Sequence, residues 1–406
     1  MRQAILALTL TAACTGAEPP GSTRENALAE GTAPPMKTYG DDLAFLQEQQ
    51  DVIELSDPSG NARVAVVAEY QGRVMTSTSG GTTGPSYGWI NREAIAAKER
   101  QPHINVFGGE DRFWLGPEGG QFSVFFTEGD PFDLEHWQTP EPIDWGPWEI
   151  ADRSGSEVRF RKAIELVNYA GTKLTLEASR VIRIVDRGVS GVEAVAYESE
   201  NTITNTGDDA WTKDKGLLSI WILGMFNPSA STTIVIPFLA GPEAELGPVV
   251  NDAYFGKVPA DRLVVGDGVL YFRGDGEYRS KIGIPRRRAR PVMGSYDAQG
   301  KVLTVVEYTL PADATDYVNS MWEISDAPYG GDVANSYNDG PPAPGARPLG
   351  PFYELESSSP AAELAPGQSL THVHRTLHFR GPDAELGAVA KGALGVSIAD
   401  IVSAFR

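Results

Sequence analysis

The sequence predicts an all-β protein, two large antiparallel sheets packed face to face with only short peripheral helices. Strand-length apolar runs recur along the chain at Arg63–Tyr70, Gln121–Phe126, Val158–Leu166, Lys173–Val185, Val192–Asn201, Leu217–Met225, Thr232–Phe238, Val269–Arg273, Val302–Leu310 and Ser369–Arg380. Within them apolar residues alternate with polar ones: Val158, Phe160, Ile164 and Leu166 share a parity, as a half-buried strand requires. Turn clusters such as Asn205-Thr206-Gly207-Asp208 and Asp297-Ala298-Gln299-Gly300 separate the runs. Many strands and little helix favour stacked sheets.

Two regions carry helix signals. Asp41–Gln50 predicts a short helix, with Asp41 or Asp42 as N-cap and Leu43, Phe45 and Leu46 on one side. The alanine-rich tail, residues 383–406, reads as one or two helices broken near Gly392–Gly395. Between them, residues 40–382 form one sandwich domain, with no repeat of 20–50 residues.

The chain has 406 residues, 34 of them Lys or Arg and 54 Asp or Glu, a formal charge of −20. Nucleic-acid binding needs a basic surface, so that class of partner is not expected. The basic run Arg286–Arg288 with Arg290 reads as a solvated strand end. At the N-terminus, Arg2 precedes an apolar run, Ala4–Ala13, too short to span a bilayer, and then Cys14, the single cysteine. Leu10-Thr11-Ala12-Ala13-Cys14 resembles a lipobox, with Thr11 where leucine is usual. The expectation is a signal peptide over 1–13 and lipidation at Cys14. A flexible Gly-, Pro- and Ser-rich tether over 14–39 would then hold the protein to a membrane of the cell envelope. An ordinary secretory signal with an incidental cysteine is the alternative.

Three segments concentrate side chains able to carry chemistry. Pro351–Arg380 reads as two strands joined by a turn. On the first, Glu354 and Glu356 point one way while Tyr353 and Leu355 point the other. A solvated sheet face is the plain alternative to a site. Phe107–Glu118 combines paired glycines with Glu110, Asp111, Arg112, Trp114 and Glu118. Carboxylates and arginine hold sugar hydroxyls, and an indole packs on the C–H face of the ring. Trp137, Trp145 and Trp148 follow closely, as site, lid or core residues. Trp322–Gly340 adds Glu323 and a loop carrying Asp332, Asn335, Ser336, Tyr337, Asn338 and Asp339. Its Asn-Asp-Gly is ordinary turn chemistry.

His372, His374 and His378 share one strand face, but His378 is ~20 Å from His372 at about 3.3 Å per residue. One zinc cannot take all three, and a hydrogen-bonding face is the simpler reading. Phosphate loops, nucleophile elbows and His-Glu-x-x-His motifs are missing, so no cofactor or metal is expected.

The strings FGGEDRFWLGPEGGQFSVFF, MWEISDAPYGGDVANSYNDG and GPFYELESSSP with PGQSLTHVHRTLHF resemble the galactose mutarotase-like superfamily, and within it the exported bacterial DUF6786 family. The resemblance implies a β-supersandwich that binds carbohydrate. Leu355-Glu356-Ser357 looks like the strand that carries the base of aldose 1-epimerases, which makes Glu356 the candidate base. Asn105-Val106-Phe107-Gly108-Gly109, leading to Arg112 and Trp114, looks like the epimerase sugar-binding segment, but Phe107 occupies the place of its histidine. The acid-donating histidine has no counterpart either, so ring opening would lack its acid. The expected function is carbohydrate binding, with Glu110, Asp111, Arg112, Trp114, Glu118, Glu323, Asn335, Tyr337 and Glu354 around the sugar and Glu356 as base if the protein is an epimerase. The alternatives are a glycosidase or lyase using Glu354 and Glu356, and a non-catalytic glycan-binding module.

Overall fold

In the computed structural model, which describes residues 37–406, the chain builds three antiparallel sheets. The largest has ten strands, in the order Leu263–Val265, Val269–Arg273, Thr232–Pro237, Val292–Asp297, Val302–Tyr308, Ser369–Arg380, Glu193–Asn205, Lys173–Ile184, Glu157–Val167 and Glu149–Arg153. A five-stranded sheet runs Ser280–Pro285, Asp332–Asn338, Tyr353–Ser358, Ser219–Phe226 and Arg112–Gly116. A third has three strands, Val52–Ser56, Arg63–Val67 and Arg73–Thr78. The all-β expectation holds.

Alternation decides what each face buries. Along Glu157–Val167 the side chains of Val158, Phe160, Ile164 and Leu166 are buried while most of their neighbours face solvent. In the five-stranded sheet both faces are covered. Ile282, Ala334, Leu355 and Phe226 pack against Ile234, Met293 and Val306 of the ten-stranded sheet, forming part of the core between the two. Buried polar groups bridge the same layer: Ser357 Oγ lies 2.8 Å from both His372 Nε2 and His374 Nδ1, and Tyr353 Oη lies 2.8 Å from Ser295 Oγ. His378 sits between Thr304 Oγ1 and a Glu110 carboxylate oxygen, each at 2.9 Å. The three histidines are buried and hydrogen-bonded, His372 and His374 to the same serine and His378 to other partners.

Several local expectations are corrected. The first helix is Tyr39–Gln49, capped by Thr38 rather than Asp41 or Asp42, because the Thr38 hydroxyl accepts the Asp41 N–H and Asp41 reaches back to it. Gln121–Phe126 is no strand: Ser123 Oγ donates to the Glu118 carbonyl and its N–H to the Gly120 carbonyl, folding the segment into turns. Asp332–Asn338, read as a loop, is a buried strand. The two strands of Pro351–Arg380 belong to different sheets and are not a hairpin. Arg288 is not solvated but buried, donating to the carbonyls of Leu239, Gly241 and Gly247.

The tail forms helices Asp383–Leu394 and Ile398–Ser403, separated at Gly395, whose φ of 77° suits glycine. Leu386, Ala390, Leu394, Ile398 and Ile401 cover Val235, Leu303, Val305, Leu377 and Phe379 on the outer face of the ten-stranded sheet. The tail therefore shares a core with the sandwich. The expected signal peptide, Cys14 and all but the last residues of the expected tether lie outside the described residues.

Candidate functional site

The register of the five-stranded sheet assembles the site. Residues opposite one another in antiparallel strands share a face. Lys281, Tyr337, Glu354 and Met225 therefore form one row, and Gly283, Asn335, Glu356, Leu223 and Arg112 the next. Ser358, Trp221 and Trp114 form a third. This is the face turned away from the core layer, and a cleft of about 200 Å³ opens over it. Trp114, Trp137, Trp221, Trp322 and Phe255 supply its aromatic walls, and Glu118, Arg279 and Asp339 add charge at its sides.

Two contacts between a basic side chain and a glutamate cross the floor. Arg112 Nη2 donates to Glu354 Oε1 at 3.0 Å, and the guanidinium lies 4.1 Å over the Trp114 ring. Arg112 is 3% exposed, and its Nε and Nη1 have no partner among the described residues. Glu356 is 0% exposed, and its Oε2 accepts from Trp221 Nε1 at 2.9 Å and from Lys281 Nζ at 3.0 Å. Its Oε1 is unpartnered among the described residues. Lys281 Nζ also sits 4.7 Å from the centre of the Trp221 ring. Behind this row, Asp332 Oδ2 accepts from Tyr254 Oη at 2.7 Å and Asn251 Nδ2 at 3.0 Å, and Tyr254 Oη in turn accepts from Asn335 Nδ2 at 3.2 Å.

Burial dominates the electrostatics. It pushes Glu354 above the usual carboxylate range; the neighbouring Glu356 adds to the rise, while Arg112 opposes it. Desolvation raises Glu118, Asp332 and Asp339 as well. Lys281 is desolvated too, yet its pKa ends above the ordinary value because Glu356, Glu118 and Glu354 surround it. The floor thus joins a carboxyl that tends to hold its proton to a carboxylate fixed by an ammonium and an indole.

The structure brings Arg112, Trp114, Glu118, Tyr337 and Glu354 to the cleft, with Asn335 and Glu356 on the same sheet face just beneath. It takes Glu110, Asp111 and Glu323 elsewhere. Glu110 precedes the Arg112–Gly116 strand, where alternation does not apply. It is buried among Ser77 N (2.5 Å), Ser77 Oγ (2.8 Å), Tyr197 Oη (3.0 Å) and His378. Asp111, also ahead of that strand, pairs with Arg180 inside the sandwich. Glu323 is exposed and does not line the cleft. Lys281, Arg279, Trp221, Trp322 and Phe255 are additions that the sequence did not single out. Trp322 stands inside a quoted string; Lys281 had no signal, because its strand is short and carries a glycine and a proline.

The fold and site together define an all-β sandwich protein with an aromatic-walled, charge-floored cleft on its smaller inner sheet. The chain belongs to DUF6786, a family of unknown function whose model matches residues 37–405. Comparison with curated proteins gave no match. Among solved structures, the chain is similar to the Slr1438 protein from Synechocystis, at 13% identity and a TM-score of 0.48 over 81% of this chain and 96% of that one. It is also similar to a galactose mutarotase-like protein from Lactobacillus casei, at 11% identity and a TM-score of 0.46 over 81% and 100% of the two chains. A galactose mutarotase related enzyme from Lactobacillus acidophilus matches at 9% identity and a TM-score of 0.44, over 82% and 98%.

Proposed function

We propose that the cleft binds a carbohydrate and performs acid–base chemistry on it, with Glu354 as the group that gives and takes the proton. The observation that carries this reading is Glu354 itself. It lines the cleft, is raised by burial, is oriented by Arg112, and stands among tryptophans suited to a sugar ring. The sequence pointed to Glu356 as base. With Glu356 enclosed by Lys281 and Trp221, its role in this proposal is to hold negative charge next to Glu354 and so keep that carboxyl protonated. An acid of this kind can protonate a ring or glycosidic oxygen, the step for which the chain has no epimerase-type histidine.

Glu354→Gln keeps shape but cannot transfer a proton. Anomer exchange or glycoside cleavage, followed by NMR on ligands found with a glycan panel, should fall by about 10²-fold or more, with affinity changed much less. Glu356→Gln removes the negative neighbour, so the Glu354 pKa falls and activity is lost at a lower pH than in the wild type. Ligands that bind without turnover in the wild type would reduce the proposal to a non-catalytic glycan-binding module. Full turnover in Glu354→Gln would remove this residue from the chemistry.

We also propose that the protein is exported and anchored to a cell-envelope membrane by a lipid on Cys14, on the strength of the Leu10–Cys14 string. Cys14→Ser should move the exported protein from the membrane fraction to the soluble one. Wild-type protein found wholly soluble after export contradicts the anchor.

A further inference from the structure

The cleft over Glu354 does not close at its outer end. Ile104, Leu134, Trp137, Arg347 and Leu349 line both the cleft and a second groove, which continues past Trp89, Gln101 and His103. The inner cleft offers about 200 Å³ and the groove about 850 Å³, so most of the space open to a ligand lies beyond the carboxylates. A monosaccharide seated at Glu354 and Arg112 would leave that space unused.

The lining of the junction suits a chain of sugar units. A pyranose presents an apolar C–H face and a rim of hydroxyls, so it is held by flat apolar surfaces edged with polar groups. Trp137 is half-buried and fixed in place, its ring 6.0 Å from Phe125 and 6.1 Å from Trp322 and nearly parallel to Phe125. Leu134 and Leu349 are 55% and 49% exposed, large apolar side chains left open to solvent at the point where the two spaces meet. Beyond them the groove adds polar side chains, Asn91, Glu93, Glu99, Gln101 and His103, to walls that stay largely apolar.

We propose, resting on the carbohydrate reading above, that the ligand is an oligosaccharide. One unit sits over Glu354 and Arg112, and the units that follow cross Trp137 and Leu349 into the outer groove. The inner cleft then selects the unit on which chemistry occurs, and the groove selects chain length.

The test uses the full chain and a panel of hexoses and hexuronic acids with their linear oligosaccharides of two to six units, titrated by calorimetry. Affinity should rise at least tenfold from one unit to three and then level off. Leu349→Ala, which trims the junction, and Gln101→Trp, which fills the groove, are both at exposed positions. Each should lower the ratio of oligosaccharide to monosaccharide affinity about tenfold. Equal affinity at every length, or an unchanged ratio in both variants, overturns the extended ligand and leaves the carbohydrate reading standing. Failure of every sugar in the panel to bind the wild type overturns both.

Discussion

Arg180→Met should lower the free energy of unfolding by about 3–5 kcal/mol, the cost of leaving one member of a buried ion pair without its partner. Arg180 and Asp111 are each 0% exposed. The guanidinium donates to the Asp111 carboxylate and, at 2.9 Å, to the Asp111 backbone carbonyl. The pair ties the Lys173–Ile184 strand of the large sheet to the residue that leads into Arg112–Gly116. Without Arg180 the Asp111 carboxylate would have to stay charged in the interior or take up a proton. Replacing both at once, Arg180→Met with Asp111→Leu, should recover most of the loss, because paired charges exchanged for apolar groups of similar size are often neutral. Urea unfolding of the two variants beside the wild type measures both numbers. A single variant within about 1 kcal/mol of the wild type would mean that the pair does not hold the sheets together.

The second large effect is a loss of stability in acid caused by two buried imidazoles. Burial lowers His372 from its ordinary 6.5 to about 3, with His374 contributing, and lowers His374 to about 4. Both are therefore neutral in the native protein at pH 5, whereas the unfolded chain protonates them below about pH 6.5. The unfolded state then binds more protons. Each imidazole withdraws about 1.4 kcal/mol per pH unit as the pH falls from about 6.5 toward 4. Carboxyls raised by burial, such as Asp332 and Asp339, act in the opposite sense, since the native state keeps protons that the unfolded chain has released. The decisive comparison is of slopes. His372→Asn, less stable overall for want of the Ser357 contact, should show a dependence on pH shallower by about one proton. Urea midpoints from about pH 7 to about pH 4.5 give it, and parallel curves would show that His372 is not held neutral.

How far the sequence revealed this molecule depended on what each strand buries. Where one face is apolar and the other wet, as in Glu157–Val167, period-two alternation gave the strand and its inward residues. Val269–Arg273 and Ser369–Arg380 emerged with their observed bounds. Where both faces are covered and one of them is polar, the pattern vanished. Asp332–Asn338 reads as hydrophilic loop chemistry because its buried side chains include Asp332, Asn335 and Asn338, each hydrogen-bonded to a distant segment. The candidate site was legible at Glu354 through strand parity, and at Arg112 and Trp114 because a guanidinium and an indole suit a sugar ring. It failed at Glu110 and Asp111, where charged residues beside glycines resemble a binding loop but are buried beneath it. Lys281 reaches Glu356 only through two intervening strand pairings, a relation with no trace in local spacing.

The strand Tyr353–Ser358 has one further implication, for how such a protein could diversify. Its odd-numbered residues, Tyr353, Leu355 and Ser357, anchor it to the layer beneath, while Glu354 and Glu356 serve the cleft. The two sets alternate along the chain yet touch different neighbours. Exchanges at the even positions and at their row partners Lys281, Tyr337 and Arg112 can remodel the cleft while the anchoring contacts stay intact, provided that Arg112 with Glu354, and Lys281 with Glu356, change together so that no buried charge is left alone. Lineages built on this scaffold would therefore alter the cleft by paired rather than single exchanges.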